Sequence, residues 1–120
     1  MVSPDVVDVN ILHRLRALQA DGEPDVVADV VKVFLDDAPG RIAGTRAALG
    51  SAQPAVAERL AHSLKSSAAM LGAMTLSSLA AEVEARARSG ALAADDPLIG
   101  RLESAFDEVR EAFGLLGLDA

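Results

Sequence analysis

The chain has no cysteine, tryptophan or tyrosine, and three phenylalanines in 120 residues. Without cysteine there is neither a disulfide framework nor a thiolate metal site. The apolar half of the sequence is mostly Ala, Val and Leu. That shortage of rings argues against sheets and for helices packed closely together. No apolar run approaches the ~20 residues that cross a bilayer, and the N-terminus lacks the basic start of a signal peptide. A cytoplasmic location without membrane contact is therefore expected. Basic residues are in deficit: 11 Lys and Arg against 18 Asp and Glu leave a net charge of -7. Such a chain repels polyanions, which disfavours nucleic acid and points to a protein partner. The length suits one domain over residues 1–120, with fraying expected at 1–4 and 115–120.

Helical periods run through the whole chain. Asp8 caps a short first helix carrying Ile11, Leu12, Leu15 and Leu18, expected to end near Asp21-Gly22. A second is expected from Glu23-Pro24, with Val27, Val30, Val31, Phe34 and Leu35 along one side. Its pattern continues past Pro39 through Ile42, Thr45 and Leu49 to Gly50-Ser51, as one kinked helix or as two that meet at the proline. Pro54 opens the next, with an apolar stripe of Val56, Leu60, Leu64, Ala68 and Leu71 that stops at Gly72. Another carries Leu76, Leu79, Ala80, Val83 and Ala87 and stops at Ser89-Gly90. Asp95-Asp96-Pro97 announces the last, with Leu98, Leu102, Ala105, Phe106, Val109 and Phe113. The fold class is all-α: an antiparallel four-helix bundle with an additional short N-terminal helix. The helices can cover one another's stripes, so a monomer is the simplest state.

His13 and His62 are the only side chains that titrate near neutrality when unperturbed. Residues two apart on a helix lie about 200° round the axis. His62, two places from both Leu60 and Leu64, therefore points away from the apolar stripe. Arg59, Lys65 and Ser66 share its outer face, which is basic and low in profile. Small neighbours let another protein approach, and two cations could steady an arriving phosphoryl group. His13 is also expected to be exposed, but nothing around it suggests a role. Glu82, Glu84, Glu103 and Glu108 read as solubilising faces. A carboxylate-bridged metal site would want Glu-x-x-His pairs, and neither histidine has Glu three residues before it.

The run Ala61-His62-Ser63-Leu64-Lys65-Ser66-Ser67-Ala68-Ala69-Met70-Leu71-Gly72-Ala73 resembles the signature of histidine-containing phosphotransfer (HPt) domains, roughly A-H-x-L-K-G-S-S/A-x-x-L-G-A. Val33 to Pro39 resembles the family's F-L-x-D-A-P stretch, and Leu79 to Arg86 its L-x-x-L-E-x-x-R-like helix. The resemblance implies that His62 takes a phosphoryl group from a receiver aspartyl phosphate and passes it on, with Lys65 as the motif lysine. Ser66 stands where the family usually has Gly. Ser66, Arg59, Ser67 and Gly72 are the further candidates for phosphate or partner contact.

A neutral imidazole nitrogen is a competent nucleophile, and its phosphoramidate is labile enough to be given onward. Positioning and charge neutralisation dominate such transfers, so metal and acidic pocket are expected on the partner, with no cofactor here. No G-x-x-x-x-G-K-[ST] loop is present, so phosphate is not expected to come from ATP directly. The expected function is a phosphocarrier of bacterial-type two-component signalling, without kinase activity of its own. Its expected partners are receiver domains of response regulators or hybrid histidine kinases. Two alternatives differ in class: a helical module that sequesters a receiver without carrying phosphate, and a purely structural or dimerising bundle.

Overall fold

Four of the five helices among the described residues start where a short polar side chain accepts a first-turn amide, or where proline removes the need for one; the helix that begins at Met74 has neither. In the computed structural model, which describes residues 2–19 and 25–118, the order is α1 (Val9–Ala17), α2 (Val26–Gly50), α3 (Pro54–Met70), α4 (Met74–Arg88) and α5 (Pro97–Leu115). The Asp8, Asp25 and Asp96 carboxylates accept from the amides of Asn10, Ala28 and Leu98 at the starts of α1, α2 and α5. Pro54 occupies the first turn of α3. No strand occurs among the described residues.

Helices α2 to α5 form the antiparallel four-helix bundle, and α1 packs against α2. The most extensive contact is between α3 and α4. It is built from small side chains: α3 buries Ala57, Ala61, Leu64 and Ala68, and α4 buries Leu76, Ala80, Val83 and Ala87. Across the bundle, α2 and α5 meet through rings, with Phe34 6.0 Å from Phe106 and 6.4 Å, edge-on, from Phe113.

Several expectations are corrected. Helix α1 ends at Ala17, with Leu18 as its C-cap, and so stops before Asp21-Gly22, which lie outside the described residues. Glu23 and Pro24 also lie outside them; the first described turn of α2 is capped by Asp25. Of the two alternatives at Pro39 the single helix holds: α2 runs unbroken from Val26 to Gly50 with this residue on its exposed side. The buried stripe of α3 holds at Leu64, Ala68 and Leu71 but departs in its first half, where Ala57 and Ala61 are fully buried and Val56 and Leu60 are half-exposed. A tight seam buries the smallest side chains and pushes larger ones to its margin. The tail does not end in a frayed segment at Leu115. Gly117 adopts a left-handed φ of 72°, turning the chain back so that Leu118 donates to the Phe113 carbonyl and enters the core.

Candidate functional site

Helix α3 carries His62 at the margin of the α3–α4 seam, with its neighbour Ala61 at the buried centre. The imidazole is exposed, 60% of its side chain reaching solvent, while the Glu84 side chain facing it from α4 is only 10% exposed. His62 Nδ1 lies 2.6 Å from Glu84 Oε2, and Lys65 Nζ donates to Glu84 Oε1 at 2.5 Å. One carboxylate thus takes a short hydrogen bond on each oxygen. Lys65 is itself anchored, its carbonyl accepting from the Ser77 hydroxyl of α4 at 2.9 Å.

The electrostatics follow from this arrangement. Hydrogen bonding from Lys65 holds the Glu84 carboxyl below the usual glutamate range; burial opposes that, and the hydrogen bond from His62 adds to it. Glu84 is therefore a carboxylate with no proton to give, so Nδ1 must be the donor in the short contact with His62. That fixes the tautomer of the neutral ring and leaves the Nε2 lone pair without a partner among the described residues. A buried carboxylate holding one ring nitrogen, with the other free at the surface, is an arrangement suited to nucleophilic attack by the exposed nitrogen.

Glu84 was expected to be a solubilising residue; instead it is 7% exposed and is the hub of the site. Its burial was signalled in the sequence. Position 84 lies four after Ala80 and three before Ala87, both buried, so the helical period places it on the apolar face. A charged residue on such a face must find partners. A second pair lies alongside: Arg88 Nε donates to Glu58 Oε1 at 2.7 Å, and Arg88 Nη2 is 3.8 Å from Glu84 Oε2.

The other candidates separate. Lys65 belongs to the cluster but is committed to Glu84 rather than free. Arg59 and Ser66 are exposed, without a side-chain partner among the described residues. Ser67 turns toward α2, where Arg41 Nη1 donates to its hydroxyl at 3.3 Å. Gly72 lies in the turn after α3, against Asp8. Its φ of 82° ends α3, its carbonyl accepts from the Asp8 amide at 2.8 Å, and a Cβ there would stand 2.7 Å from the Asp8 carbonyl oxygen. A backbone crossing that close requires glycine. Arg86, in the stretch resembling the family's α4, pairs with Asp96 and fastens the loop before α5. His13 is exposed on α1.

Comparison with known proteins adds an independent line. No curated protein and no solved structure matches the chain. The sequence profile of the Hpt domain, by contrast, matches residues 29–112, from early α2 to late α5 and across the whole His62–Glu84 cluster. With that span matched and a helical bundle beneath it, the chain belongs to the Hpt domain family, whose role is histidine phosphotransfer in phosphorelays.

Proposed function

We propose that His62 is the phosphoacceptor, taking the group through Nε2 from a receiver-domain aspartyl phosphate and passing it to another receiver. The observation that carries this reading is the 2.6 Å contact between Nδ1 and the buried Glu84 carboxylate on an otherwise exposed ring. The Nε2 lone pair attacks phosphorus, the acyl-phosphate P–O bond breaks, and the electron pair leaves with the receiver's carboxylate. The ring keeps its Nδ1 proton and becomes cationic, and Glu84 sits where that positive charge develops. The reverse displacement returns the group to a second aspartate. Compensating the ring charge at Nδ1 stabilises the phosphorylated state without blocking Nε2, so one histidine can both receive and give. Neutralisation at phosphorus itself falls to the partner's pocket. The carrier works as a cytoplasmic, single-domain monomer.

The test is transfer from a phosphorylated receiver domain to the wild type and to His62→Gln, both shown folded by circular dichroism, followed by intact mass and acid lability. An acid-labile gain of one phosphoryl group in the wild type and none in the variant is expected. If folded wild-type protein stays unlabelled by a panel of competent receivers, the proposal fails and sequestration without phosphate becomes the better account.

A further inference from the structure

The Hpt reading accounts for His62, Glu84 and Lys65 but leaves Arg88 and Glu58 unused. Both lie at the site. Glu58 stands one turn before His62 on α3, so its carboxylate shares the face on which an anionic phosphoryl group must arrive. Glu84 supplies a second carboxylate from α4. A carboxylate left uncompensated beside the acceptor would repel the group it must take up. Lys65 is bound to Glu84 Oε1, and Arg59, the remaining cation of this stretch of α3, touches neither carboxylate. Among the described residues Arg88 alone bridges the two. Its Nε donates to Glu58 at 2.7 Å and its Nη2 approaches the Glu84 oxygen that also holds His62. The side chain is 66% exposed, so core packing does not explain its orientation.

Building on the acceptor role of His62, we infer that Arg88 is a positioning residue whose guanidinium, lodged between Glu58 and Glu84, cancels the Glu58 charge and so keeps the acceptor face open to anionic donors. The role is electrostatic, and it differs from simply tying α4 to α3, because a tie fails equally when either end is removed. Charge cancellation does not: loss of Arg88 exposes Glu58, whereas loss of the Glu58 charge removes the need for Arg88.

The experiment uses the full chain and phosphoramidate as a small anionic donor, which involves no protein docking. In that reaction Nε2 attacks phosphorus, the donor's P–N bond breaks and ammonia leaves. Initial rates are measured for the wild type, Arg88→Met, Arg88→Lys, Glu58→Gln and the Glu58→Gln/Arg88→Met double variant, with thermal melts to show that each is folded. Arg88→Met is expected to slow labelling about fivefold, the scale of one exposed surface charge, with the deficit shrinking in high salt. Arg88→Lys should recover most of the rate, Glu58→Gln should match or exceed the wild type, and the double variant should return to near the wild-type rate. Arg88→Met within about twofold of the wild type would overturn the inference. So would a double variant no faster than Arg88→Met, or Glu58→Gln as slow as Arg88→Met. Wild-type protein unlabelled at His62 would instead remove the acceptor reading itself, and this inference with it.

Discussion

Two seams of the bundle are built on opposite principles. Between α3 and α4 five of the buried residues are alanines, Ala57, Ala61, Ala68, Ala80 and Ala87, and the bundle makes its most extensive contact there. Between α2 and α5 the filling is aromatic, Phe34 against Phe106 and Phe113, and Arg110 lies 4.8 Å over the Phe106 ring at the edge. Small side chains let backbones approach, so short polar groups at the margin can meet across the seam; large rings hold helices apart and contribute burial instead. Hence His62 and Lys65 of α3 both reach one carboxylate on α4. The aromatic seam is the stabilising side of the molecule and the alanine seam the side that sets geometry.

That division can be broken most forcefully at Phe113, which is fully buried. Phe113→Ala should cost about 3–5 kcal/mol in chemical denaturation, while the remaining folded protein still accepts phosphate at His62. Loss of labelling by protein that is still folded would show that the two seams are coupled rather than divided. The converse change is Ala80→Leu, at a position with no exposed surface on the alanine side. Overpacking there should cost about 1–3 kcal/mol. It should also slow phosphoryl transfer disproportionately, because spreading α3 from α4 lengthens the His62–Glu84 contact. The measurements are a denaturation midpoint and a single-turnover transfer rate on the same preparation.

A third change leaves the seam intact and alters only the charge at its margin. The carboxyl of Glu84 is held below its ordinary value of 4.5 in the folded chain, chiefly by Lys65. A depressed carboxyl contributes stability that is present above the unfolded value and lost as pH falls through the folded one. Unfolding titrations should therefore show wild-type stability decreasing below about pH 4.5, and Glu84→Gln should remove part of that decrease while lowering stability at neutral pH. The variant should also transfer phosphate more slowly at neutral pH, since an amide compensates the ring charge poorly. A Gln variant with unchanged acid sensitivity and an unchanged transfer rate would assign Glu84 no part in the site.

Most of the fold was legible because local rules and packing agree. Asp8, Asp96 and Pro54 mark helix starts, Gly72 and Gly90 mark stops, and the stripes of α4 and α5 lie where the period put them. The failures have two causes. On α3 the period fixed that a face was buried but not which of two adjacent stripes, and the tight seam selected Ala57 and Ala61 over Val56 and Leu60. Glu84 was misread because charge was taken as a sign of exposure, although its register with Ala80 and Ala87 marked it as buried. The exposure of His62 could be read from one helix alone. Its partners could not, because Glu84 and Arg88 come from another helix and meet it only across the seam. Gly72 fitted the motif but works in the backbone, against Asp8.

The smallest effect separates the chemistry of the seam from access to it. Ser66 lies one turn beyond His62, exposed and without a side-chain partner, so its hydroxyl supports nothing in the free chain. Ser66→Gly should lower stability by about 0.5 kcal/mol, because glycine is the poorer helix former. It should leave the rate with a small phosphoramidate donor unchanged, since neither the His62–Glu84 contact nor the surrounding charge is altered. With a phosphorylated receiver, removing Cβ and the hydroxyl should change the rate by only about twofold, and toward faster transfer, because the docking face becomes flatter. A large change with the small donor would mean that Ser66 acts on the phosphoryl group itself. A large change confined to receivers would make it a residue that selects among partners, and the acceptor face would then divide into a seam that does chemistry and a helix surface that chooses what reaches it.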